Sequence, residues 1–341
     1  MHRHFIHGDV VPFQISESAT TSDLVQRMAG TAFQGRMIGH AVRVWQDMLS
    51  KDVTIFLGLS GAMVPAGMRT LLVYLIENRL IDCLVSTGAN LYHDVYETLG
   101  YGHWQTTPEA DDDELAQEGY YRFYDVLALE KDFLSGESFI ADFGASLDPE
   151  HAYPTREFFD LLGRALIPLA KEEGILTAAA KAGVPIYCPA LSDSAIGMGL
   201  ADLRGQKGHK VFIDVIRDAM ELAWMCLHSP ATGAVIIGGG TPKNFVQEAA
   251  VGGSFFRQPS RGHSFGIQIT TDAPQWGGLS GSTFQEAKSW KKYGADAHFV
   301  TVNVDATVAL PIMVSALAQG SAEIIKARKQ PSFSFDDLPG S

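Results

Sequence analysis

Along most of the chain, short β-branched apolar runs alternate with longer stretches of helical period. VTIFLG (53–58) precedes a helical period over roughly 66–80, and CLVSTG (83–88) precedes one over roughly 92–99. An irregular acidic stretch, ADDDELAQEG (110–119), then interrupts the pattern and reads as an insertion packed over the sheet edge. Thr155 is a good N-cap with Glu157 in the first turn, and it opens a long helix through LLGRALIPLAKEEG. VPIYCPALSD (184–193) reads as strand then loop, residues 211–228 as helix, GAVIIGGG (233–240) as a strand ending in glycines and FGIQITT (265–271) as a strand. TFQEAKSWKK (283–292) reads as a helix, HFVTVNVD (298–305) as a strand and ATVALPIMVSALAQ (306–319) as the final helix. Strands that are apolar throughout and separated by helices predict an α/β fold with a doubly wound, mainly parallel sheet covered by helices on both faces. Residues 1–30 are read as an N-terminal arm, 31–330 as a single α/β domain and 331–341 as a tail.

In such sheets ligands bind beyond the carboxyl ends of the strands. Five predicted strands end in small, polar or acidic residues: Ser60 and Gly61; Ser86, Thr87 and Gly88; Ser192 and Asp193; Gly238, Gly239 and Gly240; and Asp305. Glycines there let backbone approach a ligand closely, and the helix N-termini that follow offer N–H groups to phosphate, which favours a nucleotide or dinucleotide. Gly-rich turns also occur in α/β proteins of every kind, and neither a GxGxxG after a strand nor a GxxxxGK[ST] is present. Asp193 and Asp305 suit ribose hydroxyls and suit helix caps equally well.

Composition narrows the partners. Hydrophobic residues make up 46% and charged ones 19%, with no apolar run long enough to span a bilayer and no basic leader, so a soluble, cytoplasmic protein is expected. The formal charge of −13 opposes nucleic acid and anionic membranes and suits cationic substrates. Cys83, Cys188 and Cys226 form no metal-binding spacing and read as small core residues.

EAKSWKK stands out. Glu286 and Trp290 lie four apart on one helical face, while Lys291 and Lys292 close the helix ahead of Gly294, a candidate C′ residue. A carboxylate and an indole together suit an alkylammonium group. An adjacent cation and burial both disfavour the charged form of a lysine, leaving an amine able to form imines; alternatively the two cations only complement the helix dipole.

FLGLSGAMVPAGMR (56–69), LVSTGANLYHD (84–94), CPALSD (188–193), IIGGGTPKNF (236–245), ITTD (269–272), EAKSWKK (286–292) and VDATVALP (304–311) together resemble the deoxyhypusine synthase family, in order over residues 30–320. The resemblance implies a Rossmann-like, NAD-dependent transferase, a homotetramer of two dimers with NAD and polyamine sites near subunit interfaces. In the implied reaction NAD takes hydride from spermidine, Lys292 captures the aminobutyl part as an imine, and an acceptor amine displaces Lys292 before hydride returns. The acceptor is a protein lysine in the founding activity and putrescine in homospermidine-forming relatives. By position, Glu286 and Trp290 are implied polyamine contacts, and Ser60, Gly61, Thr87, Gly88, Asp193, Gly238, Gly239, Gly240, Thr271, Asp305 and Ala306 the NAD cradle.

The chain departs from the eukaryotic pattern, which has glutamate at His93, histidine at Asn244 and aspartates at Met198 and Leu279, all in or near the polyamine pocket. His93 and Asn244 are therefore implied substrate contacts, and fewer carboxylates imply a shorter or less charged donor, agmatine or putrescine among them. The wording matches the archaeal and bacterial branch, and homospermidine-type synthesis is the leading expectation. Lys291 replaces the usual glycine before the reactive lysine, and its side chain is expected in solvent.

Overall fold

The computed structural model describes residues 8–339. Its main sheet has six strands: β1 Val53–Leu59, β2 Cys83–Ser86, β3 Ile186–Tyr187, β4 Ala231–Ile237, β5 His263–Ile269 and β6 Tyr293–Val302. Every neighbouring pair is parallel. The order across the sheet is β3-β2-β1-β4-β5-β6. That order places a topological switch between β1 and β4, the arrangement of dinucleotide-binding sheets.

Period-two alternation divides the strand side chains between two cores. Ile55, Leu57 and Leu59 of β1 and Val235 and Ile237 of β4 enter one core with Trp45 and Met48 of the Phe33–Ser50 helix. Phe56, Ala234 and Ile236 enter the other with Leu222 and Met225 of the Val215–His228 helix and Val246 of the Gly240–Ala249 helix. Helices therefore cover both faces, as the apolar strand pattern predicts.

At the amino ends of the strands, Asp82 receives two bonds from Arg328, at 2.9 and 2.6 Å, and one from the Ile55 amide at 2.8 Å. Arg328 also donates to the Val53 carbonyl at 2.7 Å. Both side chains are almost wholly buried.

Several boundaries differ from the sequence reading. The helix from Thr155 stops at Leu166, ahead of Pro168, and a second runs Ile175–Ala182. Thr155 is its first residue and not its cap: its amide and hydroxyl both donate to buried Asp218 at 2.7 Å. Residues 212–213 form a short strand ahead of the Val215–His228 helix. The acidic stretch forms the Asp112–Gln117 helix beside a small antiparallel sheet made of residues 104–105, 126–129 and 120–123. Within the predicted arm, Thr21–Met28 is helical, closed by a Thr20–Asp23 capping box. Residues 1–7 of that arm and 340–341 of the tail lie outside the described residues.

Candidate functional site

Two groups of residues meet on the Gly240–Ala249 helix, which follows β4. Gly238 and Gly240 take left-handed backbone angles, φ 72° and 59°, that only glycine adopts without strain. A Cβ on Gly239 would fall 2.4 Å from the Ser280 Cα. The turn is fixed by Ser60 Oγ, which donates to the Gly239 carbonyl at 2.5 Å, and by the Gly240 amide, which donates to Ser280 Oγ at 3.1 Å.

Across the switch point, a cavity of about 240 Å³ is lined by Gly61, Thr87, Gly88, Asp193 and Thr241 among others. Asn90, fully buried, fixes the backbone after β1: its amide donates to the Gly61 carbonyl at 2.7 Å and its oxygen accepts from the Met63 amide at 3.0 Å. Neither the Gly88–Thr98 helix nor the Gly240–Ala249 helix has a side-chain cap at its N-cap; in the second the Gly240 amide is taken by Ser280, so the first turn of the Gly88–Thr98 helix is the better placed to receive an anion. The two candidate ribose aspartates part company here. Asp305 accepts from the Thr307 amide at 2.8 Å and is a helix cap. Asp193 is exposed on the cavity wall, and the following helix is capped by Ser194 in its place. Thr271, exposed after β5, and Ala306, first residue of the last helix, are not among the cavity-lining residues.

The second group surrounds Lys292. A Thr283–Glu286 capping box starts the Phe284–Ser289 helix, with Glu286 Oε2 accepting from the Thr283 amide at 2.6 Å. The helix ends in a Schellman turn: the Lys291 amide donates to the Lys288 carbonyl and the Lys292 amide to the Ala287 carbonyl, at 2.9 and 3.0 Å. Lys291, not Gly294, occupies the left-handed position, at φ 61°, and Gly294 lies inside β6. That turn sends Lys291 outward and Lys292 inward, 8% exposed. Lys292 Nζ donates to Asn244 Oδ1 at 2.8 Å and stands 2.9 Å from Glu248 Oε1. The Trp290 ring, 71% exposed, lies 5.7 Å from the same nitrogen. Glu286 is also exposed, so the two polyamine contacts implied by position open to solvent beside a buried amine.

Asn244 and Glu248 are four apart on the Gly240–Ala249 helix and face one way. Glu248 was missed from sequence because a carboxylate near a helix C-terminus carries no signal of its own. Lys243 was missed too. It is 1% exposed and donates to Gln268 Oε1 and to the Leu279 and Ser282 carbonyls, at 3.1, 3.0 and 2.7 Å. Burial, then the charge of Lys292, pushes its amine down to about 8, against the opposing pull of Glu286 and Asp272. Lys243 thereby ties the 279–282 loop, and the capping box that follows it, to β5.

His93 occupies a separate setting, buried among Phe123, Phe133 and His103.

A sheet of dinucleotide-binding order, with two helix N-termini that lack side-chain caps at its switch point and a buried lysine amine held against the second of those helices, is a Rossmann-type fold. The deoxyhypusine synthase family model matches residues 23–317. The chain is 45% identical over 341 residues to the probable deoxyhypusine synthase 2 of Methanosarcina mazei, covering 99% of this chain and 97% of that one. It is 34% identical to the deoxyhypusine synthase-like protein of Chlorobaculum parvum, over 85% of this chain and 84% of that one. A crystal structure from Entamoeba histolytica that carries the same synthase name shares the fold, with a TM-score of 0.65 at 18% identity over 95% of this chain and all of that one. The chain belongs to the deoxyhypusine synthase family, and it is a transferase. Among the described residues, no helix is long and apolar enough to cross a membrane.

Proposed function

We propose that the protein transfers an aminobutyl-type group from a polyamine to an acceptor amine through an imine on Lys292, using NAD, with a small diamine as acceptor in homospermidine-type synthesis. The observation that carries this reading is Lys292 itself: an amine 8% exposed whose nitrogen is aimed by Asn244 and Glu248. An imine-forming lysine needs an unprotonated Nζ, and Glu248 is the carboxylate nearest to a proton leaving it. Glu286 and Trp290, both exposed next to it, offer a carboxylate and an aromatic face to a donor's distal ammonium.

The residues at the switch point fit NAD. Gly61, Thr87 and Gly88 would bring backbone against a pyrophosphate, the Gly238–Gly240 turn leads into Thr241 on the same cavity wall, and exposed Asp193 offers a carboxylate for ribose hydroxyls. When bound, NAD supplies a hydride acceptor for the donor amine and returns the hydride to the final imine, with no net redox change. Lys292 adds to the oxidised carbon, the donor's other amine departs, and the acceptor amine then displaces Lys292.

A second reading has a protein lysine as acceptor, and the names of the relatives at 45% and 43% identity favour it. Purified protein incubated with NAD and spermidine, trapped with borohydride and digested, should show an aminobutyl adduct on Lys292, absent in Lys292→Ala. Adding putrescine should then yield homospermidine. Full polyamine turnover by Lys292→Ala would overturn the imine mechanism. An adduct that discharges only onto a protein substrate would replace the diamine with the second reading, and an adduct formed only from agmatine or putrescine would reassign the donor.

A further inference from the structure

β2 and β3 meet a cavity at each end. The one described above lies past their carboxyl ends, at Thr87 and Pro189. A larger one, of about 530 Å³, lies at their amino ends, bounded by Asp82 and Pro185 at the strand roots, Phe159 and Ala180 from two helices, and Phe333 and Phe335 from the tail. Asp82 precedes Thr87 by five residues, so about 16 Å of extended chain separates the two. The tail forms one wall: Phe333 and Phe335 pack on the second core, Ser332 and Ser334 face solvent, and Trp224 Nε1 donates to the Ser334 carbonyl at 3.2 Å. The volume is that of a small-molecule site.

Four charged side chains line this cavity: Arg79, Asp82, Arg156 and Asp160. Both carboxylates are already bound by arginines that do not line it. Asp82 accepts from Arg328 at 2.9 and 2.6 Å, and Asp160 from Arg164 at 2.8 and 3.1 Å. The lining arginines are less well matched. Arg79 is 8% exposed, donates to the Ala182 and Pro331 carbonyls at 2.9 and 3.2 Å, and stands 3.8 Å from Asp82. Its Nε, sealed from solvent, has no hydrogen-bond partner among the described residues. Burial pushes the Arg79 guanidinium below its ordinary value, against the pull of Asp82 and with the push of Arg328. Arg156 bonds to Glu221 at 2.7 and 3.0 Å, but Arg217 shares that carboxylate at 3.2 Å. Glu157, which also acts on Arg156, is bonded to His151 at 3.2 Å. Asp218, beside Glu221, is pushed up by burial to about 7 and accepts from Thr155. Two arginines thus share one carboxylate twice over, on Asp82 and on Glu221, and a buried charge needs a counter-charge to offset its desolvation.

We propose that this cavity binds an organic carboxylate with an apolar body, its anionic end answering the positive charge of Arg79 and Arg156 and its body lying against Phe159, Phe333 and Phe335. The Phe335 ring already lies against the Arg156 guanidinium, 4.6 Å away, so the same wall offers an apolar surface and a cation. Because the site is at the opposite end of β2 from the glycine turns, it stands or falls apart from the transfer reaction.

The test is a ligand-observed NMR titration of the full chain with hydrocinnamate and with its uncharged amide. The acid should bind with a Kd of about 1 mM or tighter, and the amide about tenfold more weakly, the worth of one hydrogen bond to a charged group. Arg79→Gln, shown to be folded by its melting curve, should lose most of that preference while binding the amide as before. Phe333→Ala should weaken acid and amide alike, by about tenfold, through lost apolar contact. No binding of the acid, equal binding of acid and amide, or an undiminished preference in Arg79→Gln overturns the assignment. If Arg79→Gln does not fold, the acid and amide affinities of the unmodified protein and of Phe333→Ala decide it.

Discussion

Lys291 and Lys292 are adjacent residues with opposite fates, and a single backbone angle separates them. A non-glycine residue in the left-handed region costs about 1 kcal/mol, and Lys291 carries that cost to complete the Schellman turn. Lys291→Gly should therefore raise the melting temperature by about 2 °C, since about 1 kcal/mol moves Tm by roughly that much in a chain of this size. Borohydride trapping on Lys292 should be unaffected, and a loss of trapping in that variant would assign Lys291 a part in the chemistry. The outward direction of Lys291 was legible from sequence, but the residue that turns the chain was not. Gly294 is the better αL former, yet hydrogen bonding at Ala287 and Lys288 closes the helix three residues earlier. Lys243 was illegible for a related reason: a lysine in the first turn of a helix after three glycines looks solvated, and only the folded 279–282 loop supplies its three acceptors.

At the scale of elements, strands that are buried on both faces declared themselves. VTIFLG, CLVS and GAVII fall within β1, β2 and β4 because a strand with cores on each side admits apolar residues at every position. β6 begins five residues before its predicted start, since an edge strand accepts the polar YGADA that periodicity reads as loop. The small sheet around 104–129 was invisible for want of length. β5 carries a pH liability. His263 is completely buried and neutral, with its ring nitrogens bonded to Thr232 Oγ1 and the Val246 carbonyl at 2.8 and 3.0 Å. Burial pushes it down to about 4 from an ordinary value of 6.5. The unfolded chain therefore takes up this proton near pH 6.5 and the folded chain only near pH 4, so stability is lost as pH falls through that window. Melting temperature measured from pH 8 to pH 4 should drop below about 6.5. His263→Gln, which cannot titrate, should be less stable at pH 8 and show a shallower drop; an equal drop in both would remove His263 from the account.

At the scale of the molecule, the parallel sheet with helices on both faces was readable from the apolar strands, the strand order came only with the structure, and the assignment of lysine chemistry rested on the resemblance carried by EAKSWKK and IIGGG. What no local pattern foretold is a tie between residues far apart in sequence. Arg328, 275 positions beyond Val53 and 246 beyond Asp82, bonds to both. Truncating one partner of a buried ion pair leaves the other charge uncompensated, so Asp82→Ala should cost about 3–5 kcal/mol in denaturant unfolding. A loss under 1 kcal/mol would mean that Arg328 finds water or Arg79's neighbourhood instead. The same pair bears on how the protein is made. Asp82 goes into the interior at the root of β1 and β2 with Arg79 3.8 Å away, but Arg328, which bonds to it at 2.6 Å, is made 246 residues later. The first strands of the sheet can pair during translation, yet the closest bond at their base forms only after all six strands have been synthesised.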